Sequence, residues 1–387
     1  MIKRDAENEL RSLAAQFKAV AIIGPRQSGK TTLARYVFSD KPYINLENID
    51  TRRFAEEDAR GFLDQYPDGV LIDEAQRVPD LFSYLQQRID EDKTPGKYIL
   101  TGSNNFLLQE KITQSLAGRV AYLYLLPFCV GEIEGQIGNN AQNFIFNGGY
   151  PPIYDQPVEA AKWYPNYTAT YIERDVRQIS NLKDLSAFGR FLRLCAGRAG
   201  QLLNMNSLAI ETGVDNKTIS SWLGILESSF IVFRLQPHYV NFNKRVVKMP
   251  KLYFYDTGLL CSLLGIQNHE QLNYHPLTGN IFENMIVSEI IKYKFNRVLS
   301  PQIYFWRDNT GHEVDVIIET ATSLFPIEIK SGKTLNPEFL SGLLFYQKIS
   351  GKSGAALIYG GDSVQKRSNG ISVFPWNKVK NVWAEFD

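Results

Sequence analysis

The sequence predicts an α/β chain of several domains, and three observations predict it. The apolar run Val20-Ala21-Ile22-Ile23 leads through a glycine-bearing loop into a helix-compatible stretch at 32–38. A second apolar run, Val70-Leu71-Ile72, ends in the paired carboxylates Asp73 and Glu74. In the C-terminal third, strand patterns at 302–306, 313–318 and 324–330 follow one helical segment and precede another. At 387 residues the chain exceeds one ordinary core, so roughly two to four domains are expected.

The loop is Gly24-Pro25-Arg26-Gln27-Ser28-Gly29-Lys30-Thr31, a complete G-x-x-x-x-G-K-[ST] pattern followed by Thr32. Between a strand and a helix, such a loop turns successive backbone N–H groups toward an anion that the helix dipole also favours. Gly24 and Gly29 permit the turn, Lys30 reaches β- and γ-phosphates, and the Thr31 hydroxyl suits Mg²⁺. These features predict a nucleoside triphosphate site, with ATP and Mg²⁺ as cofactors. Residues 70–73 read as a parallel strand covered on both faces. Asp73 at its end would hold Mg²⁺ through water, and Glu74 would orient or deprotonate the attacking water. The strand at 97–100 runs into Thr101-Gly102-Ser103-Asn104, where Asn104 or Ser103 could face the γ-phosphate; an ordinary turn is the competing reading. Arg119 stands just before the strand at 120–125, placed to act as an arginine finger or as one half of a surface ion pair.

This order of loop, acidic strand, polar strand end and Arg resembles an AAA+ ATPase. The resemblance implies a five-stranded parallel sheet with a strand inserted between the loop strand and the Asp-Glu strand. It also implies a homo-oligomer in which the finger acts across an interface.

Composition narrows what else the chain can be. Apolar content of 44% and charged content of 21% are those of a globular protein. A net charge of +1 supplies no global field for a polyanion, so any basic site must be local. Cys129, Cys195 and Cys261 lie far apart, against a zinc site or disulfide framework and in keeping with a cytoplasmic location. The charged N-terminus lacks a signal peptide's apolar stretch, and no apolar run approaches about 20 residues, so no membrane partner is expected.

Four domains are expected: residues 1–130 as the ATPase core, 131–200 as a helical lid or connector, 201–256 as a winged helix-turn-helix, and 257–387 as the C-terminal domain. The third rests on a short helix near 206–212, the turn residue Gly213, and a second helix capped near Asp215 or Asn216. Ile219, Leu223 and Leu226 would face the core, leaving Lys217, Thr218, Ser220 and Ser221 at the start of the recognition helix. The following hairpin carries Arg234, Lys244, Arg245, Lys248 and Lys251 with no acid between Glu227 and Asp256. Such a hairpin suits a phosphate backbone, and a solvated or protein-packing face is the alternative.

An amphipathic helix is expected at 279–293, and the succeeding order α-β-β-β-α-β with Glu283, Asp315 and Glu328-Ile329-Lys330 resembles a PD-(D/E)xK, restriction-endonuclease-like core. Strand alternation projects Glu328 and Lys330 together while Ile327 and Ile329 pack inside. Asp315 could converge with Glu328 on Mg²⁺ or Mn²⁺, with Glu283 completing the shell and Glu313 as an additional ligand. Lys330 would then assist an attacking water, and Tyr346 and Gln347 could face the same site. The whole chain looks like the prokaryotic family of AAA+-type ATPases with a C-terminal nuclease-like domain. That resemblance implies an NTPase acting on duplex or branched DNA. The alternative is a nucleotide-dependent regulatory switch whose nuclease-like domain is an inactive scaffold for DNA or protein.

Overall fold

The computed structural model describes residues 2–102, 112, 115–172, 184–239, 247–320 and 323–385. Asn104, Ser103, Lys244 and Arg245 lie outside the described residues.

The N-terminal unit is a five-stranded parallel sheet of β1 (Ala19–Ile23), β2 (Tyr43–Asn45), β3 (Val70–Asp73), β4 (Tyr98–Gly102) and β5 (Val120–Tyr124). Its order is β2-β3-β4-β1-β5, so β4 is the strand inserted between the loop strand and the Asp-Glu strand, as expected. Every residue of β1 and β3 is buried because helices cover both faces. Val20 and Ile22 pack on α1 (Glu7–Gln16) and α2 (Lys30–Val37) through Leu10, Leu13 and Leu33. Ala19, Ala21 and Ile23 face the main core, shared with α3 (Ile49–Glu57), α4 (Ala59–Asp64) and α5 (Leu81–Glu91). Asn48 and Asp58 start α3 and α4 by accepting bonds from the first free backbone N–H groups.

Short helices α6 (Val130–Ile137), α7 (Ala141–Asn147), α8 (Pro152–Asp155) and α9 (Ala160–Tyr167) lead away from this sheet. Next come α10 (Leu185–Ala196), β6 (Gln201–Leu202), α11 (Met205–Thr212), α12 (Asn216–Ser228), β7 (Val232–Leu235) and β8 (Lys251–Phe254). The three strands form an antiparallel sheet with β8 in the middle. Asn204 caps α11, Gly213 ends it in the left-handed conformation, and Asp215 caps α12. Ile219, Leu223 and Leu226 are buried as expected, and Trp222 joins them against Phe188 and Phe191 of α10.

After α13 (Thr257–Leu263) comes α14 (Thr278–Asn296), then β9 (Ile303–Arg307), β10 (Glu313–Glu319), β11 (Leu324–Lys330), α15 (Ser341–Ser350), β12 (Ala355–Tyr359), β13 (Gln365–Lys366) and β14 (Ile371–Pro375). The sheet order is β13-β14-β12-β11-β10-β9, antiparallel from β9 to β11 and parallel from β11 through β12 to β14. The expected α-β-β-β-α-β order is present. One expectation is corrected: α14 is not amphipathic but buried on all sides, because its polar residues find partners inside the protein. Asn284 both donates to and accepts from the Phe254 backbone at 2.8 Å, and Ser288 donates to the Tyr255 carbonyl. A second seam joins residues 236–238 to β9, with His238 N–H donating to the Phe305 carbonyl at 2.7 Å. Among the described residues, no helix is long and apolar enough to cross a membrane.

Candidate functional site

The loop between β1 and α2 is shaped for an anion. Gln27 and Gly29 both take positive φ, +59° and +90°, which turns the chain around a concave row of N–H groups. At Gly24 a Cβ would lie 2.1 Å from the Leu125 carbonyl oxygen, so only glycine fits. The Ser28 hydroxyl is buried with no hydrogen-bond partner among the described residues. Lys30, itself buried, donates to the carbonyls of Gly24 (2.9 Å) and Pro25 (2.7 Å), which holds its ammonium inside the loop. Thr32 follows on the exposed face of α2. Arg26 contributes its carbonyl to the Tyr167 hydroxyl.

The loop and the acidic strand meet directly. Thr31 donates from Oγ1 to Asp73 Oδ2 at 3.0 Å, and Tyr43 donates to the same oxygen at 2.9 Å. Thr101 donates to the other oxygen, Oδ1, which also accepts from Glu74 N–H at 3.1 Å. Burial, then the neighbouring Asp73 carboxylate, pushes the Tyr43 hydroxyl far up, so Tyr43 remains a donor. Glu74 takes φ +54°, a rare conformation for a residue with a side chain, and Gln76 Nε2 donates to its carboxylate at 2.6 Å. The hard oxygen donors Thr31 and Asp73 fit Mg²⁺, and the loop's N–H groups and ammonium fit a triphosphate. When bound, the metal would neutralise phosphate charge; Thr31 would hold it and Asp73 would orient its water. The bonds of Thr101 and Tyr43 to Asp73 are contacts that sequence reasoning missed.

Behind the loop, Arg4 is a buried clamp. It pairs with Glu132 at 2.9 Å, donates to the carbonyls of Ser28 (2.8 Å) and Leu126 (2.6 Å), and lies over the Phe128 ring. Arg119 does not approach the loop within this chain. It makes a two-pronged surface pair with Asp90, 2.6 and 2.9 Å, which is the plainer of its two expected readings.

On α12, Lys217, Ser220 and Ser221 are exposed as expected, while Thr218 is half-buried and engaged with the capping Asp215. Lys248 is exposed. Two other cations of the hairpin are already engaged by acids. Arg234 forms a bidentate pair with Glu227, and Lys251 is buried.

Lys251 leads to the C-terminal cluster. Its ammonium lies 2.9 Å from Glu283 and 2.5 Å from Glu313, and Glu283 also accepts from the Tyr253 hydroxyl. Lys330 pairs with Glu328 at 2.5 Å and stands 3.8 Å from Asp315. Asp315 Oδ2 accepts from Ile329 N–H at 2.8 Å, and Arg307 pairs with Glu313 at 3.1 Å. Four carboxylates thus face three cations, one carboxylate in excess. Burial above all, then the Asp315 charge, pushes Glu328 up to about 8, so a proton there relieves the excess. Burial likewise raises Glu283 to about 7, against the opposing pull of Lys251. For Lys251 burial alone would lower the ammonium, but Tyr253, Glu283, Asp315 and Glu313 outweigh it and keep it charged.

The Mg²⁺ or Mn²⁺ shell expected of Glu283, Asp315 and Glu328 finds no support in this arrangement. Among the described residues no group of three or more His, Cys, Asp or Glu is disposed to hold a metal ion. Lysine ammoniums stand between the carboxylates: Lys251 between Glu283 and Glu313, and Lys330 between Asp315 and Glu328. Tyr346 packs against Trp306 in the core under α15, and Gln347 donates to the Ser353 carbonyl. From that helix Gly342 faces Glu328, where a Cβ would lie 3.2 Å from its Oε2.

Parallel sheet, phosphate loop and the Thr31–Asp73 contact define a P-loop ATPase of the AAA type, and residues 16–134 match the family model described as "AAA domain". Residues 139–270 and 278–379 match domains of unknown function, DUF8612 and DUF4143. Two curated relatives, "Uncharacterized protein Rv2008c" of Mycobacterium tuberculosis and "Uncharacterized protein Mb2031c" of Mycobacterium bovis, are each 32% identical over 339 residues, 86% of this chain and 74% of theirs. The chain belongs to their family. Among solved structures, the Walker-type ATPase PABY2304 of Pyrococcus abyssi is similar at 14% identity and a TM-score of 0.46, over 68% of this chain and 96% of that one.

Proposed function

We propose that this protein hydrolyses ATP to act on DNA. In this reading residues 201–256 are a winged helix-turn-helix that docks on duplex or branched DNA. The C-terminal domain is a PD-(D/E)xK-like fold that serves as a scaffold for DNA or protein and does not cut. The observation that carries hydrolysis is the bond between Thr31 and Asp73, which joins the phosphate loop to the acidic strand. Lys30 neutralises phosphate oxygens, Glu74 positions the attacking water, and Asn104 and an Arg119 finger from a neighbouring subunit complete the site. DNA contact is supported by Lys217, Ser220 and Ser221, exposed at the start of α12, and by exposed Lys248; Thr218, Lys244 and Arg245 are further contacts proposed from the sequence. Endonuclease activity, expected from the residue order, is not part of this reading, because ammoniums occupy the carboxylate cluster.

The experiment is an ATPase and cleavage assay on linear, forked and four-way DNA, with and without Mg²⁺. Expected are Mg²⁺-dependent ATP hydrolysis abolished by Lys30→Ala, stimulation by DNA, salt-dependent DNA binding weakened by Lys217→Glu, and intact DNA at the end. Nucleotide-dependent oligomerisation with no DNA affinity above background would replace this reading with that of a regulatory switch. Cleavage lost in Lys330→Ala, with ATP hydrolysis retained, would restore the nuclease.

A further inference from the structure

The chain that leaves β3 is shaped to bring an amide against the acid at its end. Glu74 takes φ +54°, and a single turn of 3₁₀ helix, Ala75–Arg77, follows it at once. Ala75 and Val78 anchor that turn in the main core, and Arg77 pairs with Glu47 at 3.2 Å. Arg77 N–H donates to the Glu74 carbonyl at 2.9 Å, so the turn closes directly on the acid. Between these anchors Gln76 is 8% exposed, and its Nε2 donates to Glu74 Oε2 at 2.6 Å. A carboxylate only accepts, which fixes the amide nitrogen on Glu74 and turns the amide oxygen away from it. That oxygen, Oε1, is buried and has no hydrogen-bond partner among the described residues. A buried acceptor without a donor is rare in a finished core and calls for one from a ligand.

We infer that Gln76 is a second acceptor for the water that attacks the γ-phosphate, working as a pair with Glu74. This role rests on the ATPase reading above, in which Glu74 positions that water. A water molecule carries two protons. One carboxylate accepts the first and leaves the molecule free to turn about that bond. The Gln76 amide oxygen accepts the second, which fixes the plane of the water and aims a lone pair at phosphorus. The amide N–H, bonded to Glu74, holds the carboxylate still at the same time. In the step itself the water oxygen bonds to the γ-phosphorus while the bond to the bridging β–γ oxygen breaks, and ADP leaves with that electron pair. One water proton passes to Glu74 and the other stays on the phosphate formed. Gln76 moves no proton; its part is orientation, on which phosphoryl transfer chiefly depends.

The test is steady-state ATP hydrolysis and ATP titration on the full chain. Gln76→Met keeps the length of the side chain and removes the amide. Its kcat should fall about 100-fold while Kd for ATP stays within about twofold of wild type. Gln76→Glu keeps an acceptor oxygen in place but sets a second carboxylate against Glu74. That pair works only while it shares one proton, the protonated acid standing in for the amide. The kcat–pH profile of Gln76→Glu should therefore lose its alkaline side and peak at lower pH than wild type. A merely structural glutamine would change stability or ATP affinity and leave that profile where it is. Gln76→Met turnover within about threefold of wild type would overturn the pairing. A rise in turnover would overturn it too, making the amide a latch that keeps Glu74 idle. Where Gln76→Met does not bind ATP, Gln76→Glu decides, and an unmoved profile overturns the pairing. Wild type that binds ATP without hydrolysing it would overturn the ATPase reading and this role together.

Discussion

Replacing Arg4 by Met tests whether the chain ahead of β1 is part of the nucleotide site. The guanidinium makes a buried pair with Glu132, whose side chain is fully shielded, and satisfies two backbone carbonyls. Met keeps much of the apolar stem against Phe128 but strands the Glu132 carboxylate, which retains only N–H donors from Asp5 and Cys129. Breaking one side of a buried pair costs about 3–5 kcal/mol. For a unit of this size, at about 3 °C per kcal/mol, the ATPase transition should fall by roughly 10 °C. Arg4 also holds the Ser28 carbonyl, so the loop's N–H groups lose a support and KM for ATP should rise more than kcat falls. Glu132→Gln should recover part of the loss in the double variant, with a coupling of roughly 2–3 kcal/mol. The assays are thermal unfolding by circular dichroism and steady-state ATP hydrolysis. A midpoint within about 3 °C of wild type, with unchanged KM for ATP, would refute the clamp.

Two further outcomes follow from the paired geometry. Thr101→Val keeps the shape of the buried side chain but removes its bond to Asp73; kcat for ATP hydrolysis should fall about 10- to 100-fold, or ~1.4–2.7 kcal/mol, with ATP affinity nearly unchanged, by steady-state kinetics and nucleotide titration. Glu328, raised from 4.5 to about 8, makes the folded chain hold a proton that the unfolded chain releases. Its contribution to stability is complete below pH ~4.5 and drains away as pH rises toward about 8, with ~5 kcal/mol as the upper bound for one site. Glu328→Gln should flatten that slope in urea unfolding measured across the interval, and an unchanged slope would count against the burial of a protonated acid.

What could be read from the sequence was what chemistry fixes at short range. Residues 24–31 announce themselves because a phosphate loop needs glycine, lysine and threonine at set spacings, and β3 because two acids end an apolar run. The α-β-β-β-α-β order was legible too, from apolar runs of strand length set between two helical segments, but the expected amphipathic period of α14 is absent. Partners distant along the chain were not. Tyr43 and Thr101 reach Asp73 from 30 and 28 residues away, and nothing local distinguishes them from any strand-end hydroxyl. Lys251 read as a surface cation because a charge beside other charges usually faces water. The discordant signal was its place in Lys251-Leu252-Tyr253-Phe254, a strand with no exposed position, whose lysine needed an acid inside. Arg119 could be narrowed to two readings and no further, since Asp90 lies 29 residues upstream.

The arrangement of α14 explains why two such different polar centres occur in one compact chain. Glu289 accepts from Val130 N–H at 2.8 Å, and Lys292 donates to the Phe128 carbonyl at 2.9 Å and pairs with Glu289. Phe128 is the ring beneath Arg4, and Cys129 N–H donates to Glu132, the partner of Arg4. Six residues earlier on the same helix, Glu283 holds Lys251. At 1.5 Å per residue, about 9 Å of rigid helix separates these attachments. A helix exposed on one face could tilt or slide at the cost of solvating a few side chains. This one is largely buried; Glu283 ties its first half to Lys251 of β8, and Glu289 and Lys292 tie its second half to the backbone of residues 128–130, so displacing either part strands a buried charge. The ATPase end segment at 128–130 and the carboxylate cluster are thus fixed to one strut.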